Sequence, residues 1–200
     1  APILLDGLYR LEYRGYDSAG VAVGNADGTI EQMRAVGRVD ELASHLAGKR
    51  VPGSCGIAHT RWATHGVPSV VNTHPHADCK GSTYIVHNGI IENHAHLASA
   101  LEREGHVFAS ETDSEVLAHL IERAWIARGA HAILEDAVAE ALRHVQGSFG
   151  IAVMSIYDPG KIVVSRRGSP LLLGIGDGEF FCCIRYSGTR TAYAPHCASL

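Results

Sequence analysis

Two consecutive helical runs followed at once by short, tightly linked strands are what most restrict the fold of this 200-residue chain. After Asp113, the residues Val116, Leu117, Leu120, Ile121 and Ala124 recur at i, i+1, i+4, i+5 and i+8, which marks an amphipathic helix. A further helix is predicted over residues 132–145. Residues 148–157, 161–165 and 171–175 then read as strands, joined by Asp158-Pro159-Gly160 and Gly168-Ser169-Pro170 turns. Strands joined by tight turns pair antiparallel, and helices set apart from them pack on a sheet face. The pattern predicts an α+β layered domain and not a parallel doubly wound one.

The first half follows the same grammar. Ile3, Leu4, Leu5, Leu8 and Leu11 give a helix over residues 3–13, and the small residues of 14–20 suit a tight loop. Residues 21–23 read as a strand, Asn25-Ala26-Asp27-Gly28 as a turn, and residues 30–36 as a second strand. A short amphipathic helix is predicted over 39–46 and a buried strand over 56–61, feeding a loop rich in His, Gly and Pro. Residues 84–87 form another strand, and Asn88-Gly89 is a dipeptide that favours a turn. A helix containing Leu97 and Leu101 ends at Gly105.

Composition removes several function classes. The net charge of -4 comes from interspersed signs, so no basic field for nucleic acid exists, and no apolar stretch has bilayer length. No charged-then-apolar leader opens the chain, and the expectation is a soluble cytoplasmic domain with no membrane partner. Cys55 and Cys79 stand apart from Cys182, Cys183 and Cys197, with no C-x-x-C pair, which argues against a disulfide framework or a cysteine-based zinc site. His74-Pro75-His76 and His94-Ala95-His96 lack the i, i+4 spacing of helical zinc motifs, so neither a metal nor a cofactor is expected.

Three polar segments carry the candidate chemistry. In His59-Thr60-Arg61-Trp62, a strand end sets a planar cation beside an indole, and Arg61 can grip a carboxylate through two parallel hydrogen bonds. In His87-Asn88-Gly89, a side-chain amide beside a glycine N–H suits an oxyanion pair. In Ser110-Glu111-Thr112-Asp113, Asp113 can accept hydrogen bonds from an ammonium. Each has a plainer explanation: Asp113 as a helix cap, Asn88-Gly89 as a turn, Trp62 as core packing, Arg61 as an ion-paired surface residue.

These segments, together with Leu11-Glu12-Tyr13-Arg14-Gly15-Tyr16-Asp17-Ser18-Ala19-Gly20, Ala63-Thr64-His65-Gly66, Ile90-Ile91-Glu92-Asn93 and Arg166-Arg167-Gly168-Ser169-Pro170-Leu171, resemble successive blocks of the glutaminase domain of glutamine–fructose-6-phosphate aminotransferase over residues 3–181. The resemblance implies a four-layer αββα sandwich of antiparallel sheets, of the N-terminal-nucleophile hydrolase type, here expected without its first strand. It implies that Arg61 holds the α-carboxylate of L-glutamine and Asp113 its ammonium, with Trp62, Thr64 and His65 shaping the pocket. Asn88 and Gly89 would form the oxyanion hole, and Arg14 would lie in the loop beside the nucleophile. In the full-length family enzyme the ammonia passes to a sugar-phosphate isomerase domain, which has no counterpart in these residues.

Two departures accompany the resemblance. The family nucleophile is a cysteine at the mature N-terminus whose own amino group is the base, whereas residue 1 here is alanine. Cys55-Gly56-Ile57 imitates that motif, but its nitrogen is in a peptide bond, and Cys55 reads as a buried small residue. Absent glutaminase turnover is therefore expected, with a non-catalytic glutamine-binding or regulatory fragment as the alternative. Residues 182–200 depart from the family pattern. Codons exist for Cys182 to Arg190 that, read one base later, give Val-Ala-Ser-Asp-Thr-Gln-Ala-Leu-Val, so a frameshift near residue 181 is expected.

Overall fold

In the computed structural model, which describes residues 2–25, 27–62 and 67–184, α1 (Pro2–Leu11) and α2 (Val39–Leu46) cover one antiparallel sheet. That sheet contains β1 (Ser18–Gly24), β2 (Ile30–Val36) and β3 (Cys55–Arg61) in the order β2-β1-β3. A second sheet contains β4 (His76–Ala77), β5 (Thr83–Ile91), β6 (Gly147–Ser155) and β7 (Val163–Arg167) in chain order. Its outer face carries α3 (His94–Arg103), α4 (Glu115–Arg128) and α5 (Leu134–Arg143), and β8 (Leu171–Ile175) pairs with β9 (Phe180–Ile184) as a hairpin.

The two-residue period of the strands builds the layers. On β1, Val21 and Val23 face Leu4, Leu8 and Leu42 of the helices, while Ala22 joins the opposite cluster. On β5 and β6, Ile85, Ile151 and Val153 meet Leu117, Leu120 and Ile121 of α4, while Tyr84, Val86, Ala152 and Met154 turn inward to Ala22, Cys55 and Ile57. Three apolar cores thus separate four layers, helix on sheet on sheet on helix, as the α+β expectation required. Cys55 is a buried residue on β3.

Helix α4 is covered on nearly every side, with His119 and Glu122 buried beside Leu117 and Leu120. Lacking a side-chain cap of its own, α5 is closed at its other end by Arg167, whose Nη1 donates to the Val145 carbonyl at 2.7 Å and Nη2 to that of Leu142 at 3.3 Å. The helix expected over 132–145 is shorter than its apolar pattern, being preceded by a 3-10 turn at Gly129–His131.

Two expectations are corrected. The loop expected over 14–20 ends earlier, because Ser18 already pairs with Val36 on one side and Arg61 on the other. Asn88-Gly89 is not a turn: β5 runs straight through it, with Asn88 opposite Gly150 and Gly89 opposite Phe149. Nine paired positions along β6 outweigh the local turn preference of the dipeptide. Gly89 does adopt a positive φ, 137°, and a Cβ there would overlap the Ser148 carbonyl oxygen. Gly89→Ala is therefore expected to destabilise the fold by about 3 kcal/mol, through strained backbone and overpacking together; urea titration reads this as a lowered midpoint.

Cys182, Cys183 and Ile184 complete β9, and residues 185–200 of the expected aberrant tail lie outside the described residues. Among the described residues, no helix is long and apolar enough to cross a membrane.

Candidate glutamine site

The ends of β3 and β5 open onto a cavity of about 770 Å³. Its apolar wall comes from Leu4, Leu8 and Leu11 of α1, and its polar wall from Arg14, Arg61, Trp62, Asn88, Gly89 and Asp113. Three distant segments of sequence thus meet at one mouth. Thr64 and His65, also expected there, lie outside the described residues.

Arg61 ends β3 with its side chain buried. Burial lowers the pKa of its guanidinium, while the charges of Asp17 and Asp113 hold it up, so the group stays cationic. Its backbone carbonyl accepts the Asp17 N–H at 3.1 Å. Gly15 packs so closely on that carbonyl that a Cβ would sit 2.8 Å from the Arg61 carbon, so glycine lets the Arg14-bearing loop lie flat on the strand end. Trp62 is 60% exposed and meets Tyr16 edge-on, which rules out core packing and places the indole at the rim.

Asp113 is buried, and its Oδ2 accepts the Ile91 N–H at 2.7 Å. The carboxylate ties the start of α4 to the end of β5. The residue in the N-cap position is Ser114, which makes no side-chain cap. Ser114 instead pairs its hydroxyl with His87 Nδ1 at 2.7 Å.

Asn88 has both ends of its amide engaged. Oδ1 lies 2.8 Å from His59 Nε2, and Nδ2 donates to the Ile184 carbonyl at 3.0 Å. The carbonyl end of β9 thus takes the donor that an oxyanion would need. His59 is a further residue of the site, and its place two positions before Arg61, on the same strand face, is a signal present in the sequence.

Burial pushes the pKa of His59 down to about 4 and that of His87 down to about 4, so both rings are neutral at pH 7. With His59 neutral, a proton on Nε2 makes the ring the donor and fixes the Asn88 amide with its N–H₂ outward. His74 and His76 pack beside them, His74 tilted against His59 with ring centroids 4.3 Å apart and meeting His76 edge-on at 4.5 Å.

Residues 59–181 match a family model described as a glutamine amidotransferase domain. The chain is 55% identical over 184 residues to the glutamine–fructose-6-phosphate aminotransferase (isomerizing) of Chlorobaculum tepidum and 50% identical over 181 residues to that of Methanothermobacter thermautotrophicus. Both alignments cover 90% of this chain and 30% of the relative, so the chain spans about a third of the length of the curated relatives it matches. Among solved structures, glutamine phosphoribosylpyrophosphate amidotransferase from B. subtilis superposes with a TM-score of 0.72 at 27% identity, over 88% of this chain and 37% of that one. An allosteric regulatory enzyme of purine biosynthesis superposes at 0.74 with the same identity and coverage. With the αββα layers and the polar cavity between β3 and β5, these matches show that the chain belongs to the glutamine amidotransferase family.

Proposed function

We propose that these residues carry the glutamine-binding apparatus of a glutamine–fructose-6-phosphate aminotransferase. The observation that supports this most is the meeting in one cavity of Arg61 from the end of β3, Asn88-Gly89 from β5 and Asp113 from the loop before α4. A free amino acid presents a carboxylate and an ammonium on one carbon, and a buried guanidinium near a buried carboxylate is the matching pair. Arg61 takes the α-carboxylate through its fork. Asp113 offers the ammonium its Oδ1, which also accepts the Ser114 hydroxyl at 3.5 Å, while Oδ2 stays on the Ile91 N–H. The side-chain amide then extends toward Asn88 and Gly89, with Trp62 over the mouth.

In the reaction proposed for the whole enzyme, a thiolate attacks the amide carbon of glutamine and the carbonyl electrons move onto oxygen. Ammonia leaves as the carbonyl re-forms, and water hydrolyses the resulting thioester to glutamate. Asn88 Nδ2 and the Gly89 N–H stabilise the oxyanion, which requires the Ile184 carbonyl to release Nδ2. The ammonia passes to a sugar-phosphate isomerase domain. The thiol must carry its own free amino group as base. Cys55 cannot serve, because it is buried at the start of β3 with its nitrogen in a peptide bond.

Residues 1–200 alone are accordingly expected to bind L-glutamine without releasing glutamate. Calorimetry and a coupled glutamate assay measure the two separately. Placing a processed Cys-Gly-Ile ahead of residue 1 is expected to give turnover. Absence of glutamine binding would overturn the site, and turnover by the unextended chain would overturn the role given to an N-terminal thiol. Binding in both forms with turnover in neither would favour the non-catalytic reading. The departure of residues 182–200 from the family pattern belongs to the same proposal, as a shift of reading frame near residue 181. The nucleotide sequence either restores Val-Ala-Ser-Asp in the alternative frame or refutes the shift.

A further inference from the structure

On the far side of the second sheet from the glutamine cavity's apolar wall, four metal-type ligand atoms converge. Cys79 in the β4–β5 loop, His106 after α3, and His119 and Glu122 on α4 bring their ligand atoms within 4.8 Å of one another. Cys79 Sγ lies 3.6 Å from His106 Nδ1 and 3.4 Å from His119 Nδ1. Glu122 Oε2 lies 3.2 Å from His106 Nδ1 and 4.0 Å from His119 Nδ1. A tetrahedral zinc ion, with bonds of roughly 2.3 Å to sulfur and roughly 2.0–2.1 Å to nitrogen and oxygen, sets its ligand atoms roughly 3.3–3.6 Å apart. The four atoms already stand near that tetrahedron.

Two further observations point to a cation. Lys80 Nζ meets Glu122 Oε1 at 3.5 Å, but Oε2, on the side of the cluster, is buried and accepts no hydrogen bond, a costly state for a carboxylate oxygen that a cation there would relieve. His119, itself 1% exposed, turns Nε2 to the Glu115 carboxylate at 3.4 Å and leaves Nδ1 facing the cluster. A ring nitrogen held by a carboxylate while the other faces a metal is the usual outer-shell arrangement of histidine ligands. Glu115 is in turn fixed by the Ala109 N–H at 2.8 Å and the Ser110 N–H at 2.6 Å.

We infer that Cys79, His106, His119 and Glu122 form a structural binding site for a divalent transition metal, with Zn²⁺ as the fitting ion. A thiolate, two imidazoles and one carboxylate suit zinc better than magnesium or calcium, which prefer all-oxygen shells. Four protein ligands complete the tetrahedron and leave no open position for catalysis. The site would fasten the β4–β5 loop and the α3–α4 connection to α4. That connection carries Thr112, Asp113 and Ser114 into the glutamine cavity. The inference stands whether or not the cavity binds glutamine, since its test reads metal alone.

The test uses the full 200-residue chain without a polyhistidine tag, dialysed against zinc and then metal-free buffer. Elemental analysis is expected to find about one zinc per chain, and a chelator to lower the melting temperature. Cobalt substitution is expected to give a thiolate charge-transfer band with tetrahedral ligand-field absorption. Cys79→Ser is expected to lose that band while keeping the far-ultraviolet circular dichroism, since Cys79 is exposed. His119→Ala is expected to lose the metal. Cys182→Ser with Cys183→Ser is expected to keep it. A chain that retains no zinc and shows no chelator effect overturns the site. So does a cobalt spectrum that survives Cys79→Ser or vanishes with the Cys182/Cys183 pair.

Discussion

Arg61→Ala is expected to weaken L-glutamine binding by about 10²–10³-fold, because removing one partner of a buried charge pair costs about 2–5 kcal/mol. The effect is large because the guanidinium already lies buried at the cavity wall, where both arms of its fork face one carboxylate. Arg61→Lys keeps the charge but offers one point donor in place of two parallel ones, and a loss of about tenfold is expected. Asp113→Asn separates the ammonium contact from the structural one. An amide oxygen can still accept the Ile91 N–H, so the fold should persist while affinity falls. Calorimetry on all three, with thermal melts as the control, decides the matter. Undiminished binding in a folded Arg61→Ala chain would remove Arg61 from the site.

The parts of this molecule that repeat a local pattern were legible in its sequence. The i, i+4 apolar runs of α4 and α5 and the turns between β6, β7 and β8 appear close to where the residues place them. The Asn88-Gly89 strand was not, because its conformation is imposed by pairing with β6 residues 60 and 62 positions away, and only the folded sheet brings Ser148 against Gly89. The convergence of Arg61, Asn88 and Asp113 could be guessed from chemistry, yet no spacing rule joins them, and the resemblance supplied that link. Asp113 shows the limit most clearly: its carboxylate serves the end of a distant strand, a role no local window reveals. The Cys79, His106, His119 and Glu122 cluster escaped for the same reason, since only the packing of α4 against two loops brings these separate residues together.

The chain is also expected to unfold steeply under mild acid, and the reason lies in its buried histidines. His74, His76 and His87 are nearly inaccessible, and His59 is half-buried beside them. Burial lowers each: His59 and His87 to about 4, His76 to about 3, and His74 well below its ordinary value. The surrounding charges divide. Asp113 favours the charged form of His87 and Glu115 that of His76, whereas Arg61, Arg34 and the rings themselves oppose protonation. The net direction is down in every case, so the folded state binds fewer protons than the unfolded state, where a histidine titrates near 6.5. Stability therefore falls as pH drops below about 6.5 and continues to fall until the folded-state values near 4 and 3 are reached. Each ring contributes a slope of up to about 1.4 kcal/mol per pH unit, and several acting together can exhaust a stability of about 5–15 kcal/mol near pH 5. Glu115 cannot account for loss in this window. Burial raises its pKa, but hydrogen bonds from His119, Ala109 and Ser110 prevail and set it at about 2, so its effect is confined below its ordinary 4.5. Denaturant titrations from pH 8 to pH 5, run with chelator present so that metal release does not contribute, should be flat above neutrality and steep below pH 6.5. His87→Gln, whose amide can still meet the Ser114 hydroxyl, should flatten the slope by roughly one ring's share. A profile that stays level down to pH 5 would mean that these rings take up protons without unfolding the sheet, and that their burial carries no acid penalty.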